Sequence, residues 1–350
     1  MKISDILQPD IANHSLLVGY YGGGNYGDEL LLEIIQNLCA ASGVSDMSIA
    51  YQSPQEYAHY HHEFGYRRVD IRKQREVLKA MLKSKRLIVG GGGLWGLDFK
   101  RNVFLLSLSL AVARWLFGKR VYLIGVGYYN STTKLGHVGA WLAAHAANTI
   151  VARDQETLEN FRRFNKQTFL DGDIAWYVRH CNLSAYHDDA EALDREVQIT
   201  DKTLLITLRR FQAKHHNIFT DEVGQFLESN QDKPIIVALL EPSSVDPEQA
   251  ALLDKWKQKY PNVQTMSSLH NPLALFLFFK RHARQLAVIA PQFHAILTAH
   301  LTDVSFMPIT YDNKVAELLA AIGCDAPLPI HAVRREHLQA FANSFYGSAA

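Results

Sequence analysis

The sequence has few cysteines, and its positive and negative charges nearly balance. Cys39, Cys181 and Cys324 are far apart along the 350 residues, and neither they nor the histidine-rich stretch 59–62 show the paired spacing of a metal site. Three such thiols are typical of reduced, buried cysteines in a cytoplasmic protein. A formal net charge of +1 excludes a global field that would attract nucleic acid or an anionic membrane. Any anionic substrate is therefore expected to be held by local arginines.

Long apolar runs and targeting segments are also missing. The N-terminal segment has no basic region followed by an apolar stretch, so no secretory signal is expected. The apolar stretches 103–117 and 272–279 fall short of a membrane span, and both are predicted to be buried helices. Because Lys280, Arg281 and Arg284 follow the second stretch, peripheral contact with the inner face of a membrane is an alternative for it. Core packing is the favoured interpretation of that helix.

The common nucleotide-binding motifs are absent as well. Over residues 16–38 an apolar run breaks into five glycines and then into a helical pattern that opens with Asp28, but the spacing matches neither G-x-G-x-x-G nor a Walker motif. Glycines permit close approach of the backbone to a ligand, and a helix start binds anions. Asp28 would either cap this helix or act as a base on a hydroxylated ligand. A plain turn and a substrate site that includes Gly23, Gly24 and Asn25 are equally compatible with the pattern.

Short apolar strands alternate with longer helical segments, which predicts an α/β fold with doubly wound parallel sheets. Strands are expected at 15–20, 47–51, 86–89, 121–126, 149–152, 204–207, 234–240, 286–290 and 305–309. We predict an N-terminal Rossmann-like lobe over 1–183, a linker over 184–202, a C-terminal Rossmann-like lobe over 203–330 facing the first across a cleft, and a C-terminal helix over 331–350. Ligands of such sheets bind at the carboxyl ends of the strands.

A second glycine run, 90–93, follows one of the predicted strands, with Asp98 close behind. Glycine runs lower stability through chain entropy and are seldom kept for packing alone. A ligand site that includes Gly92 and Gly93 is therefore favoured, with Asp98 available to bind a sugar hydroxyl.

Two more strand ends in the first half carry charged pairs. They are Arg153 with Asp154, and Asp171 with Asp173. An arginine–aspartate pair that braces the lobe, or an aspartate that caps a helix, is the favoured interpretation of both.

In the second half, cationic and polar residues also follow predicted strands. Arg209 and Arg210 suit a small dianion, since guanidinium groups bind carboxylate or phosphate bidentately, although a solvated loop is equally compatible. His294 stands in the first turn of a helix, where an anion would dock, but by its pattern alone it is a core histidine. Tyr311 and Lys314 would line an anion pocket; the favoured alternative is a helix cap beside an exposed lysine.

Seven motifs resemble the polysaccharide pyruvyltransferase family in this order over about residues 16–320: GYYGGGNYGDE, GGGGLWGLD, ARD, DGDIA, ITLR, FHAILTAHL and ITYDNKV. The resemblance implies two glycosyltransferase-B-like Rossmann lobes. It implies transfer of a pyruvyl group from phosphoenolpyruvate to a sugar of a cell-surface polysaccharide or its precursor, forming a ketal. The implied partners are phosphoenolpyruvate and a glycan or lipid-linked sugar; no metal or nucleotide cofactor is implied.

By the same resemblance, Asp28 and Asp98 fall on positions of the acceptor side, and Arg209 and His294 on positions associated with phosphoenolpyruvate. His294 is then expected to protonate the enol methylene, and Asp28 or Asp98 to act as base for the sugar hydroxyls. Arg209 is expected to hold the carboxylate or the departing phosphate.

One residue departs from the family pattern. Where the family typically has an arginine two residues before this histidine, the chain has Gln292. Since hydrogen bonds to charged groups contribute about 1.5–3 kcal/mol, the exchange would weaken donor binding roughly 10- to 150-fold. Arg210, Lys214 and Arg284 are candidates for a replacement cation. A two-lobed glycosyltransferase that binds a nucleotide sugar at the helix start 291–294, and a non-catalytic family member, are the alternatives.

Overall fold

The computed structural model describes residues 1–8, 14–52, 64–95, 100–129, 133–208, 213–241, 247–266, 271–324 and 327–347. The chain forms two compact units. Unit 1 comprises Met1–Gly23 and Asp28–Asn182, and unit 2 comprises Gly24–Gly27 and Leu183–Ala350. A short piece of the first glycine-rich segment therefore belongs to unit 2.

In the described part of unit 1, all strands join one parallel sheet. They are β1 (Ser15–Val18), β2 (Met47–Tyr51), β3 (Arg67–Asp70), β4 (Arg86–Gly90), β5 (Arg120–Val126), β6 (Thr149–Ala152) and β7 (Thr168–Leu170). Their spatial order is β3-β2-β1-β4-β5-β6-β7. The helices are α1 (Ile3–Ile6), α2 (Tyr26–Ala41), α3 (Gln74–Lys83), α4 (Arg101–Phe117), α5 (Lys134–Ala146) and α6 (Gln155–Arg162), followed by a 3-10 helix at Ile174–His180. The first two residues of α2, Tyr26 and Gly27, belong to unit 2.

Helices cover both faces of this sheet, which is why its central strands are continuous apolar runs. Successive side chains of a strand point to opposite faces. Leu16 belongs to the core cluster that contains Ala80, Leu110 and Phe161 of α3, α4 and α6. The opposite face packs against α2, whose Ile35 approaches Gly90 together with Leu17.

Unit 2 repeats this plan with a second parallel sheet. Its described strands are β8 (Thr203–Leu208), β9 (Ile235–Leu239), β10 (Val263–Met266), β11 (Leu286–Ala290), β12 (Ser305–Thr310) and β13 (Leu328–Pro329). The order is β10-β9-β8-β11-β12-β13. The helices are α7 (His187–Glu196), α8 (Ala213–Ser229), α9 (Pro247–Lys259), α10 (Pro272–Arg281), α11 (Phe293–Leu301), α12 (Asn313–Ala321) and α13 (Arg335–Gly347), with 3-10 helices at Leu183–Tyr186 and Ile330–Ala332.

The prediction of an α/β fold with doubly wound parallel sheets is confirmed. In each sheet the strand order reverses once, between β1 and β4 and between β8 and β11. Such reversals are where ligands bind in open α/β sheets, beyond the carboxyl ends of the strands.

The polar stretch that was predicted to be a linker contains helix α7. Its Ala190 and Leu193 are fully buried, and its Asp194 accepts a hydrogen bond of 2.7 Å from Nε2 of His282, which follows α10. Residues 184–202 therefore carry folded structure of unit 2.

The two apolar stretches that were predicted to be buried helices differ in the structure. Every residue from Pro272 to Phe279 of α10 is buried, so this helix offers no surface to a membrane and that alternative is wrong. Helix α4 is buried on one side only; Leu116 on its other side is 75% exposed. No helix within the described ranges combines the length and the apolar character needed to cross a membrane.

Candidate functional site

In unit 2, Gln292 joins the two strands at which the sheet order reverses. Its Nε2 donates to the carbonyl oxygen of Leu208 at 2.5 Å, and its Oε1 accepts a hydrogen bond from the Thr207 hydroxyl at 2.5 Å. Both partners are the last residues of β8, whereas Gln292 follows β11. Gln292 occupies the N-cap position of α11, but its side chain does not cap the helix. The amide thus holds two strand ends together, and its donor and acceptor groups are engaged within the protein.

His294 is the second residue of α11, and its imidazole lies against the backbone of Gly27. A β-carbon built on Gly27 would come within 2.7 Å of Cγ of His294. Real β-carbons do not approach other atoms so closely, so only glycine fits at position 27 with the imidazole in this place. His294 also packs edge-on against Phe293, with ring centroids 5.0 Å apart. The imidazole is therefore tightly positioned at the start of α11.

Three hydrogen bonds fix the glycine-rich segment 24–27 within unit 2. The backbone N–H of Tyr26 donates to the carbonyl of Leu240 at 3.0 Å, directly after β9. The hydroxyl of Tyr26 pairs with the hydroxyl of Thr298 on α11 at 2.8 Å. The side-chain amide of Asn25 donates to Glu241 at 2.8 Å. Tyr26 and Gly27 thus reach α11 at two points, next to His294 and one turn further along.

The predicted pair Tyr311 and Lys314 lies beyond the end of β12, beside the end of β11. Nζ of Lys314 is 3.1 Å from Oδ2 of Asp312 and 5.2 Å from the centroid of the Tyr311 ring. Asp312 caps α12 by accepting a hydrogen bond from the N–H of Val315. The predicted helix cap is confirmed, but Lys314 is partly buried rather than exposed. Its charge is partly balanced by the capping carboxylate.

Not every predicted cation lies at this edge. Arg284 precedes β11 and thus stands at the opposite, amino-terminal edge of the sheet, about 16 Å away along the five-residue strand. As a replacement cation beside His294 it is excluded. Arg209, Arg210 and Asp98 lie outside the described residues, as does the side chain of Lys214.

In unit 1, the reversal between β1 and β4 is bridged by Tyr21. This fully buried side chain donates from its hydroxyl to the carbonyl of Gly90 at 2.5 Å. β-carbons on Gly19 or Gly90 would each lie 2.7 Å from the tyrosine oxygen. Gly19 and Gly90 therefore have a packing role: they leave space for the aromatic ring of Tyr21.

Asp28 lies in the first turn of α2, two residues after the helix begins. A β-carbon on Gly92 would be 3.3 Å from Oδ1 of Asp28, and Gly92 has a φ of +81°. The carboxylate thus approaches the backbone of the second glycine run closely. Of the predicted residues in unit 1, the structure brings Asp28 and Gly92 together, and it places Gly23 against the Tyr20 ring instead.

The neighbouring Gly93 borders a buried ionic cluster centred on Arg153. The arginine approaches Asp154 at 3.4 Å and Asp173 at 3.7 Å, and it also donates to the Tyr129 hydroxyl. Asp154 caps α6, and Asp173 caps the following 3-10 helix. The predicted structural role of these charges is confirmed. Burial by itself lowers the pKa of Arg153, but the Tyr129 hydroxyl and the carboxylates of Asp173 and Asp154 outweigh this and hold the pKa above its usual value. Arg153 therefore carries a permanent positive charge.

Sequence reasoning did not identify Gly27, Tyr26 and Tyr21 as residues that shape these edges. Gly27 was visible only as one more glycine in a glycine-rich turn. Its contact with His294 depends on residues far apart in the chain, so a sequence pattern of local spacing carries no signal for it.

The two edges differ in their chemistry. The edge of unit 2 carries an imidazole and the first N–H groups of α11 after β11, and a lysine after the neighbouring strand β12. Such groups can bind an anion and move a proton. The edge of unit 1 places the partly buried Asp28 carboxylate beside the buried Gly92, and the exposed Gly93 follows, where a hydroxylated ligand can approach the backbone closely.

Solved structures with the same fold act on or bind nucleotide sugars. UDP-GlcNAc 2-epimerase from Methanocaldococcus jannaschii superposes with a TM-score of 0.61 at 14% identity, over 94% of this chain and 91% of that one. The Neisseria meningitidis enzyme bound to UDP-GlcNAc gives 0.62 at 12% identity, over 95% and 93%. HepE of Anabaena in complex with UDP-glucose gives 0.57 at 12% identity, over 94% and 89%. At these identities the likeness concerns the glycosyltransferase-B-like fold of two Rossmann-like lobes.

Sequence comparison identifies the family. No curated protein sequence matches this chain significantly. The family model described as polysaccharide pyruvyl transferase matches residues 25–313, a range that includes Asn25, Asp28, Gln292 and His294. The match extends over most of the chain and over both units. This protein therefore belongs to the polysaccharide pyruvyl transferase family.

Proposed function

We propose that this protein transfers the pyruvyl group of phosphoenolpyruvate to two hydroxyls of a sugar, forming a cyclic ketal in a polysaccharide or its precursor. The family match supports the reaction class. The observation that carries the proposal is the position of His294, in the first turn of α11 and packed against Gly27 at the reversal of the second sheet.

The reaction requires a proton donor, a base and an anion site. A proton adds to the methylene carbon of phosphoenolpyruvate, and the first sugar hydroxyl bonds to the adjacent carbon as its own proton is removed. The bond from that carbon to the phosphate oxygen then breaks, and the second hydroxyl takes its place. One ketal and one inorganic phosphate result, and the two hydroxyl protons restore the acid and leave with the phosphate.

His294 is our proposed acid. Its imidazole is held by Gly27 and Phe293, and a positioned group of this kind contributes typically 10²- to 10⁴-fold to a rate. The N–H groups in the first turn of α11 favour an anion at the same place. Lys314 lies beyond the end of the neighbouring strand β12 and adds a positive charge there. Arg209 follows Leu208, which Gln292 holds, and we propose it as the bidentate ligand of the donor.

Asp28 is our proposed base for the sugar hydroxyls, with Asp98 as the alternative. The carboxylate of Asp28 lies beside the buried Gly92. The next residue, Gly93, is exposed, so a ligand can approach its backbone closely. We assign the glycines Gly92 and Gly93 to acceptor binding on the same ground.

A second candidate function is favoured by one observation. Gln292 replaces the family arginine and its amide is engaged by Thr207 and Leu208, so it adds no charge for a donor carboxylate. A helix start without a side-chain cap suits the diphosphate of a nucleotide sugar. Under this alternative, the protein would be a two-lobed glycosyltransferase.

A thermal-shift titration separates the two functions. Phosphoenolpyruvate is expected to raise the melting temperature saturably, as does any ligand that binds only the folded state. Uridine diphosphate and UDP-GlcNAc are expected to have no effect. Arg209→Ala and Lys314→Ala should weaken the response to phosphoenolpyruvate, whereas Lys255→Ala, an exposed lysine on α9, should leave it unchanged. A response to uridine diphosphate alone would establish the second candidate.

Transfer itself is measured as phosphate release from phosphoenolpyruvate with a panel of hexose-containing oligosaccharides. His294→Gln should reduce the rate by 10²- to 10⁴-fold while the thermal response to phosphoenolpyruvate persists. A His294→Gln variant with full activity would remove His294 from the proposed mechanism.

A further inference from the structure

The exposed apolar side chains of this protein are concentrated on one layer of helices. Among the described residues, fourteen large hydrophobic side chains are exposed, and all of them belong to unit 1. Ten of the fourteen lie on α3, α4 and α5, the neighbouring helices on one side of the first sheet. Contiguous apolar patches of this kind mark sites of interaction rather than ordinary surface.

Helix α4 contributes the largest part of this surface. Leu105, Leu108, Trp115 and Leu116 are exposed, and Trp115 and Leu116 are 54% and 75% accessible. Their spacing of three, seven and one residues places them along one side of the helix. The other side of α4, including Leu110, is buried in the core. A helix that is apolar all round normally lies in a core or contacts an apolar environment on its second side.

Helices α3 and α5 extend the surface on both sides of α4. Gly139 of α5 lies so close to α4 that a β-carbon there would be 3.4 Å from the Phe104 ring. On the outer side of α5, Leu135, Val138 and Trp141 are exposed. On the other flank, Nζ of Lys119, just after α4, donates to the carbonyl of Leu82 on α3 at 2.7 Å. We call the outer side of these three helices the α3–α5 face.

The chain segment that contains these three helices is also rich in basic residues. Residues 72–134 contain thirteen Lys and Arg but only two acidic residues, in a chain whose overall net charge is +1. Lys79 and Lys83 are exposed directly after Leu78 and Leu82 on α3, and Lys134 is exposed at the start of α5. The segment therefore has a formal surplus of eleven positive charges despite the near-zero total, although Arg86 within it is buried and Arg72 pairs with Asp70.

We propose that the α3–α5 face docks this protein onto the surface of a bilayer that contains anionic phospholipids. Exposed leucines and tryptophans insert into the interfacial region, where tryptophan is favoured, and the surrounding lysines and arginines bind the headgroups. This docking is independent of pyruvyl transfer, and it uses α4 rather than the buried α10.

The same charges argue against a second copy of this chain as the occupant. In a twofold dimer through this face, each surplus of positive charge would lie opposite its own copy, and like charges in contact oppose association. An anionic bilayer satisfies both properties of the face at once, since it accepts apolar side chains and attracts cations.

Flotation with vesicles tests the proposal on the full chain without donor or acceptor present. Wild type is expected to float with vesicles of phosphatidylcholine and phosphatidylglycerol at 50 mM salt, to bind pure phosphatidylcholine vesicles at least about tenfold more weakly, and to be released by 500 mM salt. Trp115→Gln/Leu116→Gln should weaken binding at least about tenfold. Both side chains are exposed, so the substitutions leave the core intact.

Two matched controls accompany these variants. Leu170→Gln changes a leucine on β7 that is 48% exposed and lies outside the face, and it should bind as wild type does. Lys79→Glu/Lys83→Glu should lose binding, whereas Lys255→Glu/Lys257→Glu, which changes two exposed lysines on α9, should retain it. Equal melting temperatures across the set show that the variants are folded.

Three results would overturn the proposal: no binding of wild type to anionic vesicles, equal binding to neutral vesicles, or unchanged binding by the Trp115→Gln/Leu116→Gln variant. Sedimentation velocity tests whether a second copy of the chain, rather than a bilayer, covers this face. A wild-type dimer that dissociates in this variant, together with no vesicle binding, would assign the face to a second copy. Because the vesicles contain no glycan and the buffer no phosphoenolpyruvate, such a failure leaves the proposed transfer reaction untouched.

Discussion

The imidazole of His294 fills the space that a side chain at Gly27 would need. Cγ of His294 lies 2.7 Å from the position of a β-carbon at Gly27. Gly27 is part of a segment that three hydrogen bonds hold in place, from Asn25 and Tyr26 to Glu241, Leu240 and Thr298. The glycine therefore determines where the proposed acid stands, and it does so from a distant part of the sequence.

Replacing Gly27 with alanine is expected to impair transfer more than stability. The methyl group would displace the imidazole, and a misplacement of about 1 Å at a catalytic group reduces rates by about 10²-fold. Phosphate release from phosphoenolpyruvate measures the rate, and thermal unfolding measures stability.

Gly224→Ala is the matched control for this substitution. Gly224 is also a helical glycine of unit 2, but its nearest neighbours, atoms of Trp256, are 3.7 Å from a built β-carbon, which is an ordinary contact. It should keep full activity and gain slightly in stability, since alanine favours helix. Equal activity of the two variants would contradict the positioning role of Gly27.

The pair Gln292 and Thr207 is expected to be coupled energetically. Thr207→Val removes the hydroxyl that donates a hydrogen bond to the buried Oε1 of Gln292. Gln292→Leu removes the amide that donates a hydrogen bond to the carbonyl of Leu208. Each change should lower the free energy of unfolding by about 1–3 kcal/mol. Because the two residues share one hydrogen bond, the double variant should be less destabilised than the sum by about 0.5–3 kcal/mol. Urea unfolding of the four proteins gives this coupling, and strict additivity would refute it.

The central strands could be predicted from the sequence, and the peripheral ones could not. β2, β6 and β11 have the predicted bounds, because buried strands of parallel sheets are continuous apolar runs. The edge strand β3, with the sequence RRVD, carries two arginines, and β13 has two residues. Such short or polar strands form because they pair with a neighbouring strand, and a local sequence pattern carries no information about that pairing.

The candidate site likewise has features that the sequence could indicate and features that it could not. Motif order alone indicated the family, and that resemblance assigned site roles to Asp28 and His294. Their strand ends alone left Asp28 as a cap or a base and predicted a core role for His294. The resemblance also implied that Gln292 stands where the family typically has an arginine. It could not show that the amide joins β8 to β11, nor that Gly27 supports His294, since both depend on contacts between residues remote in sequence.

The thiols of Cys39 and Cys181 are expected to be unreactive in the folded protein. Burial raises the pKa of each from an ordinary value of 9.0 to about 12. The thiolate, which is the reactive form, is therefore nearly absent at pH 8. Cys181 and Cys324 are both partly exposed, but the raised pKa of Cys181 keeps it in the unreactive thiol form. An Ellman assay at pH 8 should therefore label at most Cys324 in native protein and all three thiols in urea; Cys324→Ser should abolish native labelling.

The raised pKa values also predict how stability depends on pH. Folded thiols stay protonated up to about pH 12, whereas unfolded ones ionise near pH 9. Their contribution is fully present below pH 9 and is lost as the pH rises towards 12, because the unfolded state then binds fewer protons. Cys39→Ala should show a shallower decline of the free energy of unfolding between pH 9 and 11. An identical pH dependence in the variant would contradict the assigned pKa shift.

Gly92→Ala is expected to impair acceptor binding beyond its effect on stability. Gly92 has a φ of +81°, and an alanine there would place its methyl group 3.3 Å from Oδ1 of Asp28. The strained backbone should lower stability by about 1–2 kcal/mol. Gly65→Ala isolates that part of the effect, because Gly65 has a φ of +74° but no atom within 4 Å of a built β-carbon. Both variants should lose similar stability, yet only Gly92→Ala should raise the KM for the sugar acceptor, since only there does the new methyl meet the proposed base. Unchanged acceptor kinetics in Gly92→Ala would separate Asp28 and the second glycine run from acceptor binding and leave them with a role in folding.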